Sequence, residues 1–180
     1  MKPRKLYVIG NGFDLQHGIP SKLDQFKQYL RDNDNSVFRE VEEYLPVRED
    51  WCDLEEALAD MDVDAIIDNL GHFMASYGAE GWSDSGHHDF QFEVESLVKR
   101  LSSELRQLFG EWIRQLPIPT PTTAPKRLTG LDRTAAFLNF NYTSTLITLY
   151  GVAAKRILFI HGCAAQLDEE LVLGHAWSSQ

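Results

Sequence analysis

A glycine-rich turn near the N-terminus contains the residues best suited to hold an anion. The aliphatic run 6–9 is followed at once by Gly10, Asn11 and Gly12, with Gly18 further on. Glycine allows backbone N–H groups to approach a phosphate closely, and the start of a following helix favours negative charge. The G-x-G-x5-G spacing matches neither of the two common phosphate-binding patterns, G-x-G-x-x-G and a loop ending in Gly-Lys-Ser/Thr. On the glycines alone, the turn is equally compatible with a nucleotide site and with an ordinary strand-to-helix connection.

Three later apolar runs end in small or polar residues in the same way. Residues 135–140, 156–160 and 171–173 are short aliphatic and aromatic runs typical of strands. The residues that follow them are Asn141, Tyr142 and Thr143, then His161 and Gly162, then Gly174 and His175. In parallel α/β sheets the ligand binds outside the carboxyl ends of the strands. These clusters and the Gly10–Asp14 turn therefore converge on one site if the strands are parallel neighbours.

Several of these residues also have purely structural interpretations. Asn141 could be a turn residue or the N-cap of a helix over 143–150, Asp14 could cap the turn that Gly12 opens, and His161 could be a satisfied structural histidine. Four further histidines are expected on the surface or in loops: His17, His72, His87 and His88. No His-x-x-His or His-Glu-x-x-His spacing is present, so no metal site is predicted.

The sequence between these clusters is mostly helical in pattern. A strand over 5–9 precedes a helix over 21–31, for which Ser21 is a candidate N-cap. A helical pattern then runs from about 36 to 116, interrupted by a polar loop over 72–88. The helical stripes need an apolar surface to cover, so we expect them to pack beside the sheet.

The strand pattern returns after a Pro-rich connector over 117–125, and a helical run over 144–151 separates the second and third strands. This order predicts one α/β domain over 1–180 with a mostly parallel sheet, in which residues 36–116 form a helical insertion or cap. The unbroken aliphatic character of the first strand predicts that it lies centrally in the sheet, buried on both faces.

Composition and charge limit the classes of partner. The chain has 180 residues, 43% of them hydrophobic and 24% charged, which suits one globular domain. Its net charge of −10 would repel nucleic acid and anionic lipid. Cys52 and Cys163 are too few for a disulfide framework or a four-thiolate zinc site, and they fit a reducing cytoplasm. Since no segment approaches the ~20 apolar residues of a membrane span, we expect a cytoplasmic protein that binds neither membrane nor nucleic acid.

Five blocks of the sequence resemble a known family. They occur in order along nearly the whole chain: LYVIGNGFDLQHGIPSKLDQFKQYL, WCDLEEAL, LNFNYTSTLITLYG, ILFIHG and LVLGH. These blocks are similar to the successive blocks of the bacteriophage abortive infection AbiH family. More distantly, GNGFDLQHGIP is similar to the sirtuin-type GAGxSxxxGIP loop, NFNYTSTL to its TQNxDxL motif and FIHG to its xHG motif.

The resemblance implies a Rossmann-like, sirtuin-type fold that binds NAD. It puts Asn141 and His161 at the two catalytic positions and the dinucleotide along the loop from Gly10 to Pro20. Together with the residues after the later strands, the candidate cofactor-binding residues are Gly10, Asn11, Gly12, Phe13, Asp14, Gly18, Ile19, Pro20, Gly162, Gly174 and His175. Sirtuin deacetylases carry a four-cysteine zinc module that two cysteines cannot supply, so protein deacetylation is not expected.

The function implied is that of an antiphage defence protein that binds NAD or a related nucleotide and hydrolyses its N-glycosidic bond. His161 suits base catalysis because a neutral imidazole can accept a proton near neutral pH. Asn141, a neutral donor and acceptor, suits the ribose or the attacking water. The alternative is a non-catalytic module of a defence system that senses a nucleotide or binds a partner. The helical region would offer a surface for a homo-oligomer or for a partner of the defence system.

Overall fold

The structure is a computed structural model that describes residues 5–71, 84–124, 126–167 and 171–174, without the side chains of 84–88. Contacts between Cα atoms divide the chain into two compact units. The first consists of Met1–Phe26 and Phe109–Leu173, and the second of Lys27–Leu108 and Gly174–Gln180. The organisation expected from the sequence, one domain with an insertion over 36–116 and a connector over 117–125, stays a prediction.

The first unit is built on a parallel sheet of three strands. They are β1 (Leu6–Ile9), β2 (Ala136–Asn139) and β3 (Ile157–Phe159), in the order β1-β2-β3. The last residues of the three strands are in register, Ile9 beside Asn139 and Asn139 beside Phe159. The predicted mixed α/β class with a parallel sheet is therefore confirmed, and the three strands end at one edge.

One face of this sheet is buried and the other is exposed. On the buried face Ile9 and Phe137 pack against helix α8 (Thr145–Tyr150), whose Leu146, Leu149 and Tyr150 belong to the same core cluster. The predicted helix over 144–151 is thus confirmed. Gly151 ends it in the left-handed conformation, with φ of 64°, as glycine after a helix commonly does.

The prediction that β1 lies centrally and is buried on both faces is wrong. Only β2 pairs with it among the described strands, so β1 is an edge strand. Its side chains alternate, because Tyr7 and Ile9 pack on the core while Leu6 and Val8 are 62% and 64% exposed. An aliphatic run indicates only that a strand tolerates burial, not how many neighbours it has.

The prediction of a fourth strand over 171–173 is also wrong. Among the described residues this segment is not assigned as a strand, and its Val172 N–H donates to the His161 carbonyl over 3.0 Å. The Val172 carbonyl instead accepts a hydrogen bond from the Tyr142 hydroxyl over 3.0 Å. A side chain therefore occupies the acceptor that a neighbouring strand would use.

Three further helices contribute to the first unit, one of them wholly and two through part of their length. Helix α1 (Gly12–Gln16) follows β1, and Phe26 lies in α2 (Leu23–Asn33). The ring of Phe26 packs at 5.1 Å from Phe109 and 5.3 Å from Trp112, both in α7 (Leu105–Gln115). These contacts account for the burial of Phe26, Phe109 and Trp112 in the first unit.

The second unit is helical in its described part. It contains α3 (Asn35–Tyr44), α4 (Leu54–Ala57), α5 (Val63–Leu70) and α6 (Asp84–Lys99), followed by a π-helical turn over Arg100–Glu104. The loop predicted over 72–88 is wrong for residues 84–88, which form the first turns of α6, whereas 72–83 lie outside the described residues. No helix in the described ranges is long and apolar enough to cross a membrane.

Candidate functional site

The ends of the three strands place the predicted site residues along one edge of the sheet. Asn11, Asn141 and His161 each lie two positions beyond the aligned row of Ile9, Asn139 and Phe159. The ladder continues past this row, because Phe140 N–H donates to the Ile9 carbonyl over 2.8 Å and Ile160 N–H to the Asn139 carbonyl over 2.9 Å. Their backbones thus share one edge, as the sequence predicts for parallel strands.

An open cleft of about 500 Å³ lies beside the end of β1. It is lined by Val8, Ile9, Gly10, Asn11, Gly12, Phe13, Gln16 and Leu128. Its volume falls in the range of small-molecule sites. Four predicted residues, Gly10 to Phe13, therefore line it, whereas Asn141 and His161 are not among its lining residues.

The glycines of this turn differ in their structural roles. A Cβ atom built on Gly10 or Gly12 would meet nothing within 4 Å, and neither has a positive φ. Gly18 and Gly162, by contrast, have φ of 76° and 82°, where other residues are strained. The fold therefore accounts for Gly18 and Gly162, while the space beside Gly10 and Gly12 stays open to the cleft.

The residues after α1 brace the turn. Asn11 Nδ2 donates to the Ser21 carbonyl over 3.1 Å, and Ser21 Oγ donates to Asn11 Oδ1 over 2.6 Å. The sequence suggested Ser21 as the N-cap of α2. This prediction is wrong, because the Ser21 hydroxyl donates to Asn11 in the turn. Ile19, 1% exposed, donates its N–H to the Asp14 carbonyl over 3.1 Å, and Pro20 lies between it and Ser21. None of Gly18, Ile19 and Pro20 is a lining residue of the cleft.

Asp14 is a buried carboxyl group directly behind the lining residues. It is 1% exposed, and its Oδ2 accepts a hydrogen bond from Thr143 Oγ1 over 2.6 Å. Thr143 Oγ1 in turn lies 2.9 Å from Thr145 Oγ1. Asp14 Oδ1 has no hydrogen-bond partner in the described structure. Burial raises the pKa of the Asp14 carboxyl above its ordinary value, although the hydrogen bonds from Thr143 and Thr145 oppose this effect.

His17 is the site residue that the sequence interpretation missed. It was expected at the surface, yet it is 1% exposed, with Nδ1 at 2.6 Å from the Phe13 carbonyl and Nε2 at 2.6 Å from the Tyr150 hydroxyl. The spacing of four residues between Phe13 and His17 was an available signal, because it places the imidazole over the preceding helical turn. No signal in the neighbouring sequence indicates that Tyr150 in α8 is the second partner of His17. His72 lies outside the described residues, and so do the side chains of His87 and His88.

Asn141 is held at the start of the segment that leads to α8. It is 6% exposed, and its N–H donates to Asn139 Oδ1 over 3.3 Å, while Asn139 Nδ2 donates to the Asn141 carbonyl over 3.2 Å. The N-cap position of α8 belongs to Ser144, so the interpretation of Asn141 as the cap is wrong. Its backbone conformation is set by Asn139.

His161 lies in an aromatic pocket after β3. Its ring centroid is 5.9 Å from that of Phe140 and 5.6 Å from that of Tyr142. The Nδ1 atom is buried and has no hydrogen-bond partner in the described structure. A ring nitrogen with a free lone pair could accept a proton or a hydrogen bond.

Gly174 and His175 are the last two residues that the sequence predicted for the site, and neither is described as part of it. Gly174 has φ of 91°, and a Cβ there would lie 3.3 Å from the Glu55 carbonyl oxygen, so packing within the second unit accounts for this glycine. His175 lies outside the described residues. In the ranges that the structure describes, no group of three or more His, Cys, Asp or Glu residues could hold a metal ion.

Comparison with known proteins gives one family. The family model described as "Bacteriophage abortive infection AbiH" matches residues 6–180 of the chain. The match includes all five sequence blocks and both compact units. No curated protein and no solved structure matches the chain.

Proposed function

This chain belongs to the bacteriophage abortive infection AbiH family, and from that premise we propose that it is an antiphage defence protein that binds NAD or a related nucleotide and hydrolyses its N-glycosidic bond. The family implies the defence role. The nucleotide chemistry rests on one observation above all, the register that aligns Ile9, Asn139 and Phe159. Because the strand ends are in register, one edge of the parallel sheet carries the glycine turn, Asn141 and His161. Proteins with α/β sheets bind nucleotides at this edge.

The cleft supplies the binding part of this proposal. Gly10 and Gly12 leave space for an anionic group to reach the backbone, and Val8, Phe13 and Leu128 offer apolar walls for a flat ring. A bound phosphate would repel an ionised Asp14, but burial raises the pKa of that carboxyl and so favours its neutral form. The cleft is therefore suited to an amphipathic ligand with a phosphate and a planar base.

The reaction requires little covalent chemistry from the protein. The bond between the nicotinamide nitrogen and C1′ of the ribose breaks, and its electron pair neutralises the pyridinium charge. A water oxygen bonds to C1′ and gives its proton to a base. His161 is the proposed base because its Nδ1 has no hydrogen-bond partner in the described structure, and Asn141 is proposed to orient the ribose or the water.

We also propose that the fold is Rossmann-like and of the sirtuin type. Two features support this: three parallel strands, and the crossover from β2 to β3 through α8. Parallel strands require such a crossover, and a helix usually forms it. A glycine turn after the first strand is the further feature that such folds share.

A non-catalytic nucleotide sensor is the second candidate. It is favoured by one observation, that Asn141 and His161 do not line the cleft that the glycine turn forms. In this case the ligand binds beside β1 and stays intact, and the defence signal passes to a partner.

The two candidates are separated by incubating the purified protein with NAD and measuring free nicotinamide and ADP-ribose. If the protein is a hydrolase, both products accumulate, and His161→Ala lowers turnover by about 100-fold or more while the NAD affinity changes little. Asn141→Ala should also lower turnover, and Asn33→Ala, a change at an exposed asparagine of α2, should leave it unchanged. Binding without products identifies a sensor, and the absence of both overturns the nucleotide proposal.

A further inference from the structure

Two walls of the cleft are joined by a buried chain of hydrogen bonds. The carbonyl of Phe13, on one wall, contacts His17 Nδ1 over 2.6 Å, and His17 Nε2 contacts the Tyr150 hydroxyl over 2.6 Å. The same hydroxyl accepts a hydrogen bond from the N–H of Leu128, on the other wall, over 2.8 Å. Both Phe13 and Leu128 line the cleft, whereas His17 and Tyr150 do not.

The donors and acceptors of this chain are consistent with one arrangement of protons. A carbonyl oxygen can only accept, so His17 Nδ1 donates to Phe13. The hydroxyl of Tyr150 already accepts from Leu128 N–H and has one proton to give. With that proton given to His17 Nε2, every polar atom of the chain has a hydrogen-bond partner.

The chain is also rigidly packed. His17 and Tyr150 are 1% and 3% exposed. The ring of Phe13 lies 4.7 Å from that of His17 and 5.6 Å from that of Tyr150, and the Arg127 guanidinium sits 5.4 Å from the centre of the Tyr150 ring. A shift of one wall would therefore disturb both rings and the hydrogen bonds between them.

We propose that His17 and Tyr150 are positioning residues of the ligand cleft, which fix Leu128 relative to Phe13 through the Tyr150 hydroxyl. The identity of the ligand as a nucleotide rests on the proposed function, but the coupling of the two walls does not. A preformed cleft binds more tightly than one whose walls move independently, because no ordering is needed on binding. The hydroxyl of Tyr150 thus acts on affinity without touching the ligand.

Tyr150→Phe removes only the oxygen atom that joins the two walls. We expect the Leu128 amide to exchange its hydrogen at least about tenfold faster in this variant. Exchange requires local opening, and in the parent protein the Tyr150 hydroxyl opposes that opening. We expect the dissociation constant for NAD, measured by calorimetry, to rise about tenfold, which corresponds to one lost hydrogen-bonded constraint. Circular dichroism and the melting curve verify that the variant is folded.

Tyr7→Phe is the matched control. Tyr7 packs against the same core cluster, and its hydroxyl accepts a hydrogen bond from Asp132 N–H over 3.4 Å, but it does not line the cleft. Both measurements should stay within about twofold of the parent. His17→Asn is the second test variant, since its amide can still donate to the Phe13 carbonyl but is too short to reach Tyr150. It should reproduce the effect of Tyr150→Phe.

The outcomes separate this proposal from the nucleotide function. If NAD does not bind the parent protein, the proposed function fails, and the exchange of Leu128 alone decides whether the walls are coupled. Because Tyr150→Phe removes the acceptor of the Leu128 N–H directly, His17→Asn decides the coupling. If Leu128 exchange is unchanged in His17→Asn, the coupling is wrong. Faster exchange with unchanged NAD affinity shows that the chain is structural only and overturns the positioning role.

Discussion

Thr143 Oγ1 donates a hydrogen bond of 2.6 Å to Asp14 Oδ2, although the two residues are 129 positions apart in the chain. The bond joins α1, directly behind the glycine turn, to the segment between Asn141 and α8. It therefore connects two of the three loops at the carboxyl edge of the sheet through buried side chains, 1% and 3% exposed.

Thr143→Val should destabilise the protein by about 1–3 kcal/mol, because it leaves Asp14 Oδ2 buried without its donor while the volume hardly changes. Urea denaturation measures this difference. Thr148→Val, at an exposed threonine of α8, should change the free energy of unfolding by less than about 0.5 kcal/mol. Equal effects of the two substitutions would contradict the importance of the Asp14–Thr143 bond.

The carboxyl of Asp14 should make stability depend on pH in an unusual direction. Burial raises its pKa in the folded protein above that in the unfolded chain, so its contribution to stability is fully present below the unfolded pKa and is lost as the pH rises through the folded pKa. Asp14→Asn cannot titrate. Its stability relative to the parent, measured by urea denaturation, should therefore improve as the pH rises above the ordinary carboxyl pKa of about 4. Asp24→Asn, at an exposed residue of α2, is the control, and a pH-independent difference for Asp14→Asn would refute the raised pKa.

Gly12→Val should abolish NAD binding without unfolding the protein. A Cβ at Gly12 meets no atom within 4 Å, so the fold tolerates a side chain, but that side chain would fill the lined cleft. We expect the dissociation constant to rise by at least about 100-fold, and the stability to change by less than about 1 kcal/mol. Gly71→Val, whose Cβ would meet no atom of the described residues within 4 Å beyond its chain neighbours, is not a lining residue and should bind as the parent does. Undiminished binding by Gly12→Val would remove the glycine turn from the site.

Gly18→Ala and Gly10→Ala should separate the structural glycine of the turn from the one that faces the cleft. Gly18 has φ of 76°, where an alanine is strained, so its replacement should cost about 1–2 kcal/mol of stability. Gly10 has no positive φ and open space around its Cα, so Gly10→Ala should leave the melting temperature within about 2 °C of the parent. The reverse order of stabilities would show that the backbone of the turn differs from that described.

Much of the first unit could be predicted from the sequence because its signals are local. The apolar runs 135–140 and 156–160 contain β2 and β3, and the run 144–151 contains α8. The run 171–173 is also apolar but forms no strand, and its Val172 carbonyl accepts a hydrogen bond from the Tyr142 hydroxyl. Side-chain competition of this kind has no signature in a short apolar run.

The caps were predicted less well than the elements. Ser21 and Asn141 are residue types that cap helices, and both precede one. In the structure Ser21 Oγ donates to Asn11 Oδ1. Asn141 lies three positions before the N-cap, Ser144, and its backbone N–H and carbonyl bond to the side chain of Asn139. The capping propensity of a residue type indicates which hydrogen bonds its side chain can make. The groups that surround it in the fold decide which of those bonds form.

The sequence by itself determined which chemical groups follow β1, β2 and β3 and where these strands and α8 lie, because these depend on residue type and on the period of apolar positions. Only the tertiary structure decided that β1 is an edge strand, that Asp14 meets Thr143, and that His17 meets Tyr150 across 133 positions. Such pairs form when the core closes long loops and brings distant buried polar groups to the only partners available there. Local sequence cannot specify those partners, because a polar group needs a hydrogen-bond partner within the protein only once the fold has buried it.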